Sequence, residues 1–375
     1  MKDANRYGKI DKVLLFSIVG LTLFGVIMVY SASSYYAKVN YGNEYYYLIK
    51  QIIGVLLGFM AMFVLSVTDY HKIVKFRYVV LIISYVLLIL VFVPGVGVEN
   101  YGAKRWIRLP FFTLQASEIA KFGFIIFCSS YMAKNYKKMS TLRGILPVVL
   151  VGGSMCVLII LEPNMSITMC MALLMLAMLF IGGIRYKHLA MIIAPLILLV
   201  PVLILLEPYR LARLTAFLNP WASPLDEGYQ LIQSFYALGS GGLFGVGLFS
   251  SRQKYLFLPF CESDFIFSVI GEELGLVGCV AVIVTFLIIV FRAVKIAVNA
   301  SDRLGCYLAS GIASIIAIQT LINVAVVSGS IPPTGLPLPF VSAGSSSLIV
   351  FLGASGILLS VERFSHKSIK CLIGK

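Results

Sequence analysis

The run IIAPLILLVPVLILL, residues 192 to 206, contains no polar side chain. A helix built from it has no face that water would wet, so it has to be enclosed by protein or lipid. The same character extends along the chain, which is 60% hydrophobic and only 12% charged, with a mean hydropathy of +0.97. That composition excludes an ordinary soluble domain and predicts an all-α, polytopic integral membrane protein. Ten apolar segments approach spanning length, near 13–33, 47–67, 78–96, 116–133, 146–162, 165–183, 189–206, 265–291, 305–328 and 345–361. An even number of spans puts both termini on one side.

The basic residues say which side. With the N-terminus in the cytoplasm, 20 of the 30 Lys and Arg fall in inner tails and loops, among them Lys2, Lys72, Lys134, Arg185, Arg292 and Lys375. Lys and Arg concentrate on the cytoplasmic face of membrane proteins, so the net charge of +14 reads as topology, with no nucleic-acid partner expected. This gives one membrane domain over 1–375, with cytoplasmic tails at 1–12 and 362–375 and localisation in the cytoplasmic membrane. Small residues at Ser31, Ala32 and Ser33 resemble a signal cleavage site. The apolar stretch before them is longer than a signal core, which favours an uncleaved first span. Most of the seven cysteines lie within spans and Cys261 on the outer side, so neither disulfide nor metal cluster is expected.

On this topology the unusual segment is 207–264, a large extracytoplasmic loop between spans seven and eight. Loops of such length in compact proteins are usually functional or disordered, and this one is rich in aromatic and aliphatic residues. YQLIQSFYAL (229–238) has helical spacing, and GSGGLFGVG after it predicts a re-entrant turn. A second outer loop, of about 20 residues, precedes the fourth span. No internal repeat of the kind common in transporters is evident.

Acids are scarce, 16 in all, yet LPFCESDFIFSVIGEELG (258–275) holds Glu262, Asp264, Glu272 and Glu273. Ionisable groups at membrane depth are costly and so face a cavity or a partner. Asp264 sits at the aqueous boundary, where direct chemistry is the favoured reading. Glu272 and Glu273 lie two helical turns deeper and read first as a buried structural pair with backbone or basic partners, chemistry being the alternative. Lys104, Arg105 and Arg108 are outward in GAKRWIR, and Glu118 and Lys121 make an i, i+3 pair at the start of the fourth span. Arg210, Arg213, Arg252 and Lys254 add outer cations. A cationic collar around one carboxylate suits an anionic lipid headgroup, a pyrophosphate above all. There is no phosphate-loop motif and no H-E-x-x-H, and the three histidines lie on the inner side. No metal or cofactor is expected.

Several long motifs, in order, then carry a resemblance: GVIMVYSASS, GAKRWI…LQASEIAK, FLNPWASP…GYQLIQS…GGLFGVG, ESDFIFSVIGEELG and TGLPLPFVSAGSSS. The chain resembles the SEDS family of polytopic bacterial proteins, the RodA, FtsW and SpoVE group, over almost its whole length. The resemblance implies ten spans and a glycosyltransferase that polymerises lipid II into glycan strands beside a class B penicillin-binding protein, releasing undecaprenyl pyrophosphate. It implies that Asp264 is the general base. Arg105 and Lys121, with Arg213 and Lys254, would bind the pyrophosphate, with Glu118 supporting Lys121.

The chain departs from the family's usual pattern at Phe260 and Glu262, in place of Glu and His, and at Ala116, Asn164, Ser223, Ala343 and Ser345. Two other readings stand beside polymerisation: a lipid II flippase, and a non-catalytic scaffold for the penicillin-binding protein. The clustering of acids and isolated bases toward the outer half favours chemistry there over transport.

Overall fold

The computed structural model describes residues 10–100, 103–108, 113–205 and 208–365. The side chains of Lys104 and Arg210 and most of the two terminal tails lie outside the described residues. The chain opens with α1 (Lys12–Tyr41), α2 (Tyr46–Val67), the short α3 (Tyr70–Lys75) and α4 (Arg77–Leu90). Strands β1 (Gly97–Asn100), β2 (Ala103–Arg108) and β3 (Thr113–Gln115) follow. Then come α5 (Ala116–Asn135), α6 (Leu142–Leu161), α7 (Met165–Ile181), α8 (Tyr186–Leu205), α9 (Pro208–Leu218) and α10 (Tyr229–Gly241). The chain finishes with α11 (Ile266–Asn299), α12 (Arg303–Val327) and α13 (Ser345–Phe364).

Each of the ten apolar segments falls on a helix. Among the described residues, α1, α2, α6, α11, α12 and α13 are long and apolar enough to cross a membrane, and α4, α7 and the first part of α8 are apolar but shorter. The protein is therefore a predominantly helical, polytopic membrane protein. Helix α4 stops at Leu90, short of the expected 96, ahead of the helix-breaking Pro94 and Gly95. Helix α1 instead runs on to Tyr41, so Ser31, Ala32 and Ser33 are mid-helix and buried. Their small size serves packing, because Ser31 reaches a carboxylate of α11.

The core runs along α5, α12 and α13. Residues Phe122–Ser130 of α5 are buried without interruption, the mark of a helix surrounded on all sides. Helix α5 packs between α4 and α12, and α13 lies along α2.

The all-α expectation needs one correction. The loop before α5 is a three-stranded antiparallel sheet in the order β1-β2-β3, with a register shift between Val98 and Glu99 and Trp106 opposite Gln115. Three short strands pair by backbone hydrogen bonds, without a hydrophobic run to announce them. The sheet has a use: side chains alternate along a strand, so Arg105 and the buried Ile107 share one face of β2.

Helix α11 is the second departure. At 34 residues it would be about 51 Å long if straight, well beyond a hydrocarbon core of about 30 Å. It is not continuous, because Gly275 has φ 67° and ψ −164° and divides it. Residues 242–247 of the Gly-rich turn enter the break. Val246 and Gly247 N–H donate to the carbonyls of Glu272 and Glu273, at 2.9 and 3.0 Å, and Leu276 and Val277 N–H donate to those of Gly242 and Leu243, at 2.9 and 3.1 Å. Non-helical backbone at such a place has to have its polar groups paired by protein, and each strand of chain here supplies the other. A Cβ on Gly275 would stand 2.4 Å from Gly245 N, so only glycine admits this approach.

Candidate functional site

Two loops meet over the buried ends of the central helices. The first is LPFCESDF, which turns sharply because Phe260 takes a left-handed φ of 57° and its carbonyl accepts from Ser263 and Phe265 N–H. The second is the segment between α12 and α13, containing TGLPLPFVSAG. Ala343 N–H donates to the Glu262 carbonyl at 2.9 Å, and the Ser342 hydroxyl to the Ser263 carbonyl at 2.6 Å. The same Ser342 oxygen accepts from Leu338 N–H at 2.7 Å. These bonds tie the residues flanking Asp264 to the second loop.

The Asp264 side chain is only partly open to solvent. Gly335, at φ 55°, passes so close that a Cβ there would lie 3.1 Å from Asp264 Oδ2. Burial pushes the Asp264 carboxyl up to about 7, the neighbouring Glu262 adds to the rise, and Ser263, Arg213 and Arg105 work against it. Glu262 is itself buried and its carboxyl raised by loss of hydration. The base candidate thus feels the charge of a second acid and of two guanidinium groups from distant parts of the chain. Arg213, on α9, donates to the Pro333 carbonyl at 3.4 Å. Arg105, on β2, donates to the Glu162 carbonyl at 3.4 Å and also to that of Pro163.

Lys121 has the Glu118 partner that its spacing predicts, and both it and Lys254 are buried. Lys121 is fully buried, donating to Glu118 Oε1 at 2.7 Å and Gln319 Oε1 at 2.6 Å. Glu118 accepts in turn from the Ser347 hydroxyl at 3.1 Å. Lys254 is 4% exposed and donates to Glu273 Oε1, the Ser31 hydroxyl and the Phe249 carbonyl, at 3.1, 3.2 and 2.6 Å. The resemblance assigns both to the departing pyrophosphate; in this structure both ammonium groups are enclosed by protein acceptors. A lone cation at such depth is expensive, and the fold surrounds it with partners.

Glu272 and Glu273 do not join Asp264. Glu272 accepts from Arg252 N–H at 2.8 Å, Gln253 N–H at 3.4 Å and the Ser251 hydroxyl at 2.5 Å, fixing the start of the segment that leads to LPFCESDF. Glu273 holds Lys254, Ser31 and Ser251 N–H together. Cys261, placed on the outer side by the sequence, is buried with its thiol directed at the Ala32 carbonyl.

Three residues were passed over in the sequence. Gln319 and Asn323 are amides four apart in the apolar α12, a spacing that puts them on one face. Glu162, just after α6, is 1% exposed, and neither of its carboxylate oxygens accepts a hydrogen bond among the described residues. Asn164, where the family has Asp, caps α7 by accepting from Ile167 N–H at 3.3 Å, which either side chain could do. Ser345 bonds the Lys50 carbonyl at 3.0 Å, so this departure also has a local structural use.

The relatives agree with this architecture. The Cell cycle protein family of FtsW, RodA and SpoVE matches residues 12–367. A probable peptidoglycan glycosyltransferase FtsW of Geobacter sp. (strain M18) is 39% identical over 94% of this chain and 96% of its own. Stage V sporulation protein E of Bacillus subtilis (strain 168) is 38% identical over 95% of this chain and 98% of its own. Among solved structures, a chain from work on structural coordination of polymerization and crosslinking by a peptidoglycan synthase complex superposes with a TM-score of 0.79 at 27% identity, covering 94% of this chain and 97% of that one. Rod shape determining protein RodA of Thermus thermophilus shares the fold, with a TM-score of 0.70 at 24% identity over 94% and 96% of the two chains. With a family match over nearly its full length and relatives near 40% identity, this chain belongs to the FtsW, RodA and SpoVE family of cell cycle proteins.

Proposed function

We propose that this protein is a peptidoglycan glycosyltransferase that polymerises lipid II at the outer face of the bacterial cytoplasmic membrane. Asp264 is the general base. Its carboxylate takes the proton of the GlcNAc 4-hydroxyl as that oxygen attacks the MurNAc anomeric carbon of a second lipid II. The anomeric bond to undecaprenyl pyrophosphate breaks with inversion, giving a β-1,4 linkage. Arg213 and Arg105, whose charges act on Asp264, are the groups we assign to the departing pyrophosphate. Lys121 and Glu118 support the site from behind, and Lys254, Glu272 and Glu273 hold the segment that delivers Asp264.

The observation that carries the reading is the setting of Asp264: a carboxyl raised to about 7, in contact range of Gly335 and under the influence of two arginines, where two family-signature loops are tied together. A base is most effective when its pKa lies near the working pH. The names of the relatives, peptidoglycan glycosyltransferase among them, support the substrate class. Ten spans, cytoplasmic termini, an outer 207–264 loop and a class B penicillin-binding protein as partner complete the proposal. No metal or cofactor is assigned.

The test is purified protein, with its penicillin-binding partner, supplied with lipid II and read for a ladder of glycan polymers. A folded, partnered protein that makes no ladder yet moves lipid II across vesicles would be a flippase. The pH profile gives a further expectation. The base works deprotonated, so the rate should climb through pH 7 and fall tenfold for each unit below it; a flat profile from pH 5 to 8 would remove Asp264 from that role.

A further inference from the structure

Helix α12 carries two side-chain amides that reach out of the apolar bundle into the loop over Asp264. Asn323, 1% exposed, donates from Nδ2 to the Asp264 carbonyl at 2.8 Å and to the Leu336 carbonyl at 2.7 Å. One amide group therefore bridges the backbone of the candidate base and the backbone beside Gly335. One turn away, the fully buried Gln319 donates from Nε2 to the Pro337 carbonyl at 2.9 Å and accepts from Lys121 at 2.6 Å. Leu336 and Pro337 are consecutive, so the two amides grip adjacent carbonyls of TGLPLPF. Proline-rich backbone has few N–H groups with which to fix itself, and the carbonyl of the buried Leu336 in particular has to be paired.

We propose that Gln319 and Asn323 are positioning residues for the polymerisation reaction. They clamp Gly335 against Asp264, and the Glu118–Lys121 pair acts on catalysis through Gln319 and not by contact with substrate. The inference rests on the reading of Asp264 as base. It makes the buried lysine the middle of a chain that runs Ser347, Glu118, Lys121, Gln319, Pro337, each neighbour within hydrogen-bond distance of the next. Such a chain transmits position, since Gln319 accepts from Lys121 through Oε1 and donates to Pro337 through Nε2.

The direction of those bonds makes the proposal testable. Asn323→Asp keeps size but places a donor-less carboxylate against two carbonyl oxygens, so it should be at least as harmful as Asn323→Ala. A space-filling role would leave the Asp variant near wild type. For Asn323→Ala and Gln319→Ala, kcat with lipid II should fall on the order of 10- to 100-fold, the scale of a misplaced catalytic group, while KM changes little. Hydrogen exchange at the amides of Leu338, Val341 and Ser342 should speed up in both variants. Replacing Lys121 alone strands Glu118, so the coupling is measured from Glu118→Gln with Lys121→Met, which leaves no lone charge. Adding Gln319→Ala to that pair should cost little more than the worse change alone, because residues in one network are not additive.

Unchanged kcat in the α12 variants, a fall in KM-governed binding only, or fully additive losses would each overturn the clamp. So would unaltered loop exchange. If the wild type makes no polymer at all, the glycosyltransferase reading fails by itself. The exchange data then decide whether the amides hold the loop.

Discussion

Asp264→Asn should abolish polymer formation from lipid II while leaving expression, detergent behaviour and partner binding intact. The substitution is nearly isosteric but cannot accept a proton near neutral pH, and a general base contributes about 10²- to 10⁴-fold. Wild-type rates from the Asn variant would dismiss Asp264 as the base. The same variant carries a stability signature that a bystander carboxylate would lack. The folded-state pKa of about 7 lies above the 3.8 of the free side chain, so the native state holds the proton more tightly than the unfolded chain. Stability from this group is present below about pH 4 and is lost as pH rises through 7. Asp264→Asn should therefore melt higher than wild type at pH 8, with the difference closing toward pH 4. The site would then be one where function is kept at the expense of stability.

Lys254→Ala should act mainly on folding. It leaves Glu273 buried with its charge unanswered, and breaking a buried pair by removing one partner costs about 3–5 kcal/mol. A large drop in melting temperature is expected, partly restored by Glu273→Gln in the same chain. If instead Lys254→Ala melts normally and raises only KM for lipid II, the lysine reaches substrate and the enclosed geometry is not its working state. The two variants separate the residue that does chemistry from those that hold its scaffold.

How much of this was legible beforehand depends on the range of the interaction involved. The apolar segments announce their helices because lipid allows little else, and Asp264 stands out as an acid at the end of such a segment. The pairing of Lys121 with Glu118 follows from their spacing on one helix. Lys254 could not be read in the same way. Its partner Ser31 is 223 residues distant, and its enclosure depends on a loop folding back onto α1 and α11. The sheet 97–115 was missed because its strands are too short to show alternation, although GAKRWIR was noticed for its charge. Gln319 and Asn323 were visible as amides in an apolar helix, a costly placement that calls for partners, but nothing local to α12 says that those partners are the carbonyls beside Asp264.

The interruption of α11 at Gly275 changes what holds the two halves in line. In a continuous helix, inserting one residue after position 275 would turn everything on one side by about 100° relative to the other. Here both halves are bonded to one segment, the Glu272 and Glu273 carbonyls to Val246 and Gly247 and the Leu276 and Val277 N–H groups to Gly242 and Leu243. Each half therefore takes its azimuth from residues 242–247, and a change of length in that turn would misaim Glu272 and Glu273 as surely as one in the helix itself. The turn works as a splice plate: it fixes two rods end to end where the helix does not.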